Sequence, residues 1–117
     1  MTDKRTLGDR GEGYTARYLQ KHGYVIVERN WHSRYGEIDI IAESGEYLLF
    51  VEVKTRKADS MVPGELAVTK QKQQKLRLTA ESYLLEYPTE KQPRFDVAVL
   101  TVNNDKLLSF TYYKSAF

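Results

Sequence analysis

Apolar and polar positions along the chain predict seven elements in the order α-β-β-β-α-β-β. Apolar residues recur at helical spacing over residues 7–22 and 69–87. Shorter alternating or continuous apolar runs predict strands at 24–30, 35–42, 46–54, 95–102 and 107–113. This order is typical of an α/β fold, with a mixed β-sheet flanked by a helix on each side.

Turn-forming residues separate the predicted elements. Gly23 stands where a left-handed residue would end the first helix, and Pro88 follows the second. Residues 43–46 predict a tight hairpin turn, and residues 61–68, which include a Pro-Gly pair, predict a loop. The chain contains no linker or internal repeat, so residues 1–117 are expected to form a single domain.

Charged residues interrupt two of the apolar strands. Asp39 lies within the run 36–42, and Glu52 and Lys54 lie within the run 50–56. Strand faces that carry Ile and Phe seldom carry Asp, Glu and Lys as well. Because an uncompensated buried charge costs several kcal/mol, these positions indicate a partner such as a divalent metal ion or a phosphate.

The hairpin turn determines whether the two acids can meet. If Ser44 and Gly45 are the turn residues, Asp39 and Glu52 become diagonal neighbours on one face of the sheet. Their backbones would then be roughly 7–8 Å apart, whereas a slip of one residue would send them to opposite faces. The same register places Glu37 opposite Glu52. Glu37 is then either a further metal-site acid or a strand-end acid paired to Arg34 or Arg56.

Two converging carboxylates beside a lysine have the chemistry that phosphodiester hydrolysis requires. Asp39 and Glu52 supply hard oxygen ligands for Mg²⁺ or Mn²⁺, which lower the pKa of a water molecule and offset charge on the phosphate. Lys54 would orient that water and add positive charge. Glu12 shares a helical stripe with apolar residues, so it either reaches the metal or caps a buried cation.

Four blocks of residues resemble the YraN-type family of the PD-(D/E)XK nuclease superfamily. The central blocks are Gly36-Glu37-Ile38-Asp39-Ile40-Ile41 and Phe50-Val51-Glu52-Val53-Lys54-Thr55-Arg56. The flanking blocks are Gly8-Asp9-Arg10-Gly11-Glu12, with Ala16 and Leu19, and Arg94-Phe95-Asp96-Val97. The chain has Ile38 where the superfamily motif is written with a proline, which supplies no metal ligand.

The resemblance implies a restriction-endonuclease-like fold, similar in its ordering to the archaeal Holliday-junction resolvases. It implies that Asp39 and Glu52 bind the metal, that Lys54 is the catalytic lysine, and that Glu12 completes the site. The expected activity is that of a Mg²⁺- or Mn²⁺-dependent DNA endonuclease with a preference for branched DNA. The alternative is a nucleic-acid-binding or adaptor domain that has the nuclease fold but no turnover.

Composition and charge narrow the function classes further. The absence of cysteine excludes disulfides, zinc–thiolate sites and cysteine nucleophiles, and it fits a cytoplasmic protein. The N-terminus predicts neither a signal peptide nor a membrane span. Seven cations against two acids between Lys54 and Arg77 leave a local excess of +5, which favours either a solvated helix face or a polyanion-binding surface.

The polyanion interpretation identifies the candidate phosphate-binding residues and favours DNA over RNA as the partner. They are Arg56, Lys70, Lys72 and Lys75. Cleavage of a two-fold symmetric junction would suit a homodimer. Asp96 is expected to be structural, paired with Arg94 or with an arginine of the first helix.

Overall fold

The computed structural model describes residues 4–58 and 68–117, with side chains from residue 8 onward. The elements are α1 (Lys4–Lys21), β1 (Val25–Ser33), β2 (Gly36–Glu43), β3 (Tyr47–Lys57), α2 (Lys70–Glu86), β4 (Gln92–Asn103) and β5 (Lys106–Tyr113). The predicted order is confirmed, and most predicted ends are correct to within three residues. The loop predicted at 61–68 lies outside the described residues except for its last residue.

The five strands form one mixed sheet in the order β1-β2-β3-β4-β5. Neighbouring strands are antiparallel except for β3 and β4, which are parallel and are connected through α2. The two helices cover opposite faces of the sheet. On one face Leu19 of α1 packs with Leu49, and on the other Tyr83 of α2 packs with Phe50. Neither helix is long and apolar enough to cross a membrane, judged over the described residues.

The β2–β3 hairpin differs from its predicted register by one turn position. The amide of Ser44 donates to the carbonyl of Tyr47 (3.0 Å), so the turn residues are Gly45 and Glu46 rather than Ser44 and Gly45. Ile40 then pairs with Val51. The ladder ends at this pair, and its register would set Asp39 opposite Glu52. The predicted register, with Asp39 diagonal to Glu52 and Glu37 opposite Glu52, is therefore wrong. Because the shift changes partners by two residues, Asp39 and Glu52 still share a face.

The regular strand pattern of β2 is interrupted at Asp39. Ile38 and Ile41 both pack towards α2, whereas Ile40 packs towards α1, so the alternation of side chains is broken between Ile38 and Ile40. Across the ladder in β1, Asn30 adopts a positive φ of 55°, which asparagine tolerates better than most residues. The last backbone pair of β2 and β3 is Ile40 with Val51. Asp39 therefore lies in an irregular part of β2, just past the end of the β2–β3 ladder.

Asp96 is fully buried, and its partners are structural. Arg94 Nη2 donates to Asp96 Oδ2 (2.8 Å), and the Tyr112 hydroxyl donates to the same oxygen (2.7 Å). The amide of Ser115 donates to Asp96 Oδ1 (2.9 Å). Burial and the bond to Asp96 both raise the pKa of Tyr112. The expected pairing of Asp96 with Arg94 is confirmed.

Gly11 allows α1 to lie directly on β3. A Cβ at this position would overlap the Thr55 hydroxyl, whereas a Cβ at Gly8 would meet nothing within 4 Å. The Thr15 hydroxyl also donates to the carbonyl of Gly11 (2.8 Å). The glycine therefore sets the distance between helix and sheet immediately before Glu12.

Gly11→Ala is expected to destabilise the protein by about 1–3 kcal/mol, because the added methyl group forces α1 away from β3. Gly8→Ala is the matched control and should stabilise by up to about 1 kcal/mol through helix propensity alone. Chemical denaturation of both variants measures the difference. Equal stability of the two variants would contradict the close contact.

Candidate active site

A cleft of about 260 Å³ lies between the end of the β2–β3 ladder and the first turns of α2. Asp39 and Glu52 line it together, so the structure brings the two predicted acids into one place. Lys72 and Lys75 line the wall formed by α2. The remaining lining residues are Tyr35, Gly36, Glu37, Leu76 and Thr79. The cleft thus combines carboxylates from the sheet with lysines from a helix.

Asp39 is held in an environment that disfavours its charge. Its Oδ2 accepts a hydrogen bond from the amide of Val53 (2.8 Å), just past the last backbone pair of the ladder. Burial, and next the charge of Glu52, raise the pKa of Asp39 to about 8, although the Val53 amide opposes the shift. The charges of Glu12 and Glu37 raise the pKa of Asp39 further. A cation placed between these carboxylates would relieve the repulsion.

Glu52 and Lys72 form an ion pair across the cleft. The Nζ of Lys72 lies 3.3 Å from Oε1 of Glu52, whose side chain is only 11% exposed. Thr69 caps α2, because its side chain accepts from the amide of Lys72 (3.1 Å). The cap fixes the start of the helix and hence the position of its lysines. Lys70, also in the first turn, is exposed.

Glu12 approaches the acids from α1. It is 9% exposed, and its Oε1 lies 3.5 Å from Arg29 Nη2 but makes no hydrogen bond with a described residue. Burial raises the pKa of Glu12, while Asn30 and Arg29 oppose the change. Glu12 pairs with a cation, but Arg29 is 40% exposed and is not the buried cation that was one of its two predicted roles. The charge of Glu12 also acts on Asp39.

Lys54 and Arg56 follow Glu52 at alternate positions of β3 and are half-buried. This spacing directs all three side chains to the same face of the strand. Neither Lys54 nor Arg56 is among the described residues that line the cleft. The Nε of Arg56 is buried and has no hydrogen-bond partner within the described part of the chain.

Glu37 lies on the cleft but has a different partner from those predicted. Its Oε2 is 3.1 Å from Nε2 of His32, its neighbour across the β1–β2 ladder, rather than close to Arg34 or Arg56. The sequence interpretation assigned no role to His32. Only the β1–β2 register identifies the pair, since the two residues lie on different strands.

The carboxylates are of the type that divalent cations prefer as ligands, but only a small number of them converge. Asp39 and Glu52 converge, and a buried oxygen of Glu12 lacks a hydrogen bond. Among residues 4–58 and 68–117, however, no group of three or more His, Cys, Asp or Glu side chains is positioned to hold a metal ion. A larger cavity of about 650 Å³ between α1 and β3–β5 contains none of the predicted site residues.

A family model matches most of the chain. Residues 11–100 match the model described as uncharacterised protein family UPF0102. The chain belongs to the UPF0102 family. The resemblance to YraN-type proteins is thereby confirmed.

UPF0102 proteins from distant bacteria align with the chain over most of its length. The protein from Rhodococcus opacus (strain B4) is 40% identical over 118 residues, covering 100% of both chains. The protein from Dictyoglomus thermophilum is 38% identical and covers 98% of this chain and 99% of its own. The protein from Syntrophomonas wolfei is 43% identical over 87% of this chain and 90% of its own.

A solved structure shares the fold of this UPF0102 protein. It is Hjc from Archaeoglobus fulgidus, a Holliday junction resolvase from an archaeal hyperthermophile. The TM-score is 0.52, and the match covers 92% of this chain and 77% of Hjc at 19% sequence identity. At this identity the likeness concerns the fold. The predicted restriction-endonuclease-like architecture is confirmed.

Proposed function

We propose that this UPF0102 protein is a divalent-metal-dependent endonuclease that hydrolyses phosphodiester bonds in DNA, with a preference for branched molecules. The observation that carries the proposal is the convergence of Asp39 and Glu52 in a cleft whose other wall carries Lys72 and Lys75. A DNA strand bound in the cleft would meet both acids that can hold a cation and lysines that can hold a phosphate. The shared fold with a Holliday junction resolvase supports the same class of reaction.

Mg²⁺ or Mn²⁺ is the proposed cofactor, with Asp39 and Glu52 as ligands and Glu12 as a supporting acid. The raised pKa of Asp39 supports this assignment, because the repulsion that disfavours its charge is the repulsion a cation would offset. When bound, such an ion would supply positive charge to the phosphate and lower the pKa of a water molecule. Lys72 would then exchange its pairing with Glu52 for contact with the substrate.

The protein side chains are assigned separate tasks around the scissile phosphate. The Val53 amide holds the Asp39 carboxylate in one orientation. Lys54 is proposed as the catalytic lysine, which positions the attacking water and offsets charge in the transition state. Arg56, Lys70, Lys72 and Lys75 are proposed to bind the flanking phosphates and position the strand without reading its sequence.

The Glu52–Lys72 ion pair gives some support to a second candidate function. A lysine already neutralises one of the two proposed metal ligands, as expected of a nucleic-acid-binding or adaptor domain without turnover. Labelled duplex, flap, fork, four-way junction and single-stranded substrates, incubated with Mn²⁺, separate the two functions. Cleavage of any of these DNAs supports the nuclease, whereas binding without cleavage supports the adaptor.

Lys72→Ala should weaken DNA binding similarly for all sequences and lower the slope of log K against log salt by about one, because one phosphate contact is lost. Lys106→Ala, at the exposed start of β5, is the matched control and should leave the slope unchanged. Fluorescence anisotropy across a salt series measures both variants. An unchanged slope for Lys72→Ala would remove Lys72 from the proposed phosphate contacts.

A further inference from the structure

The turn between β1 and β2 forms the rim of the cleft opposite α2. Tyr35, at this turn, lines the cleft together with Asp39 and Lys72. It is 36% exposed, and within the described residues its ring contacts no other aromatic ring. Trp31, four residues earlier, instead packs edge-on against Tyr83 (5.2 Å between centroids) in the core. Tyr35 is therefore an aromatic side chain beside the site that the core does not use.

Several contacts hold the Tyr35 ring in place. The guanidinium of Arg34 lies 4.9 Å from the ring centroid, and its Nη2 donates to the Tyr35 hydroxyl (2.8 Å). The Tyr35 amide donates to the hydroxyl of Ser33 (3.1 Å). A ring already ordered before binding loses little conformational entropy when a ligand stacks on it.

The turn itself rests on α2. Gly36 has a φ of 152°, a conformation that favours glycine, and a Cβ there would lie 3.4 Å from the Thr79 hydroxyl. Gly36 and Thr79 thus face each other across little space, and both line the cleft. The turn that carries Tyr35 therefore packs beside the helix that carries Lys72 and Lys75.

Cations stand beside the acids of the cleft and suit a nucleic acid strand as the occupant. Lys72 and Lys75 line the cleft together with its acids, and Arg34 adds a positive charge beside Tyr35. A phosphate held at the lysines would leave its attached base to be accommodated near the aromatic rim. Aromatic rings and arginine planes both stack on bases, and every base offers a face for such stacking.

We infer that Tyr35, supported by Arg34, stacks on an unpaired nucleobase adjacent to the phosphate held in the cleft. This inference rests on the proposed function and refines its substrate class to DNA with unpaired or unstacked bases at the cleavage position, such as forks, flaps and junctions. A base inside a continuous duplex cannot present its face to the ring without leaving the stack. Tyr35 is thus a specificity-determining residue rather than a catalytic one.

The test measures binding to a fork and to a continuous duplex, with 2-aminopurine as the unpaired base beside the branch point. Wild-type protein should quench 2-aminopurine fluorescence in the fork but not in the duplex. Tyr35→Leu should abolish the quenching and weaken fork binding roughly tenfold or more, leaving duplex binding within about twofold. Tyr35→Phe keeps the ring and should bind the fork nearly as well as the wild type.

Tyr87→Leu is the matched control, because Tyr87 is an exposed tyrosine at the far end of α2. It should leave both affinities and the quenching unchanged. The inference is overturned if wild-type protein binds the fork without quenching 2-aminopurine fluorescence. It is also overturned if Tyr35→Leu weakens binding to the fork and to the duplex equally, or weakens binding to neither. Failure of the wild-type protein to bind any of these DNAs would instead overturn the proposed function, and the inference with it.

Discussion

Asp39→Asn is expected to reduce DNA cleavage by at least about 10³-fold while DNA binding is retained or strengthened. Asparagine can still accept the hydrogen bond from the Val53 amide, so the local backbone conformation should be retained. What disappears is the negative charge that would hold a cation beside Glu52. Removing that charge also removes a source of repulsion for phosphate, which is why binding should not suffer.

The control for this substitution is Asp105→Asn. Asp105 is a half-exposed acid whose Oδ1 lies 3.2 Å from Arg10 Nη1, away from the cleft. Asp105→Asn makes the same chemical change as Asp39→Asn. It should leave both cleavage and binding within about twofold of the wild type, as is usual for surface substitutions. Cleavage under single-turnover conditions with Mn²⁺ measures the effect. If Asp39→Asn cleaves at the wild-type rate, the assignment of the metal ligands is wrong.

Without metal, Asp39 should make the protein less stable as the pH rises from about 4 to about 8. The pKa of this carboxyl is about 8 in the folded protein and 3.8 without the protein environment. Between these values the unfolded chain releases a proton that the folded protein retains, so increasing pH favours unfolding. Below pH 4 both states are protonated, and above pH 8 both are ionised.

The contribution of Asp39 is measured by comparing wild type with Asp39→Asn, which cannot ionise. The variant should gain about 2 kcal/mol or more relative to the wild type between pH 5 and pH 8. Millimolar Mn²⁺ at pH 8 should raise the melting temperature of the wild type but not of the variant. A wild-type–variant difference that stays constant with pH would show that the charge of Asp39 is already compensated in the fold.

The sequence was sufficient to predict that Asp39 and Glu52 meet, although it misplaced the turn between them. Moving a two-residue turn by one position changes each pair by two residues, and strand faces alternate with a period of two. The relative face of the two acids is therefore insensitive to this error. Their exact partners are sensitive to it, which is why Glu37 was assigned opposite Glu52.

Other features depend on contacts that no local pattern encodes. The interruption of β2 at Asp39 coincides with the left-handed Asn30 on the neighbouring strand and with the end of the β2–β3 ladder. The pairing of Lys72 with Glu52 depends on how α2 docks across the parallel connection. The interaction of His32 with Glu37 depends on the β1–β2 register. Secondary-structure periodicity contains none of this information.

The acids and the lysines of the cleft occupy different parts of the chain relative to the connection between the parallel strands β3 and β4. The cleft acids Glu37, Asp39 and Glu52 precede it, as does Glu12, whose charge acts on Asp39. The lysines lie within the connection, on α2. The antiparallel β1–β3 unit requires only short turns, whereas β4 must return past a whole helix. A growing chain can therefore gather its carboxylates before the opposing cations have been synthesised. Attraction between Lys72 and Glu52 would then help draw α2 onto the nascent sheet, linking completion of the site to completion of the fold.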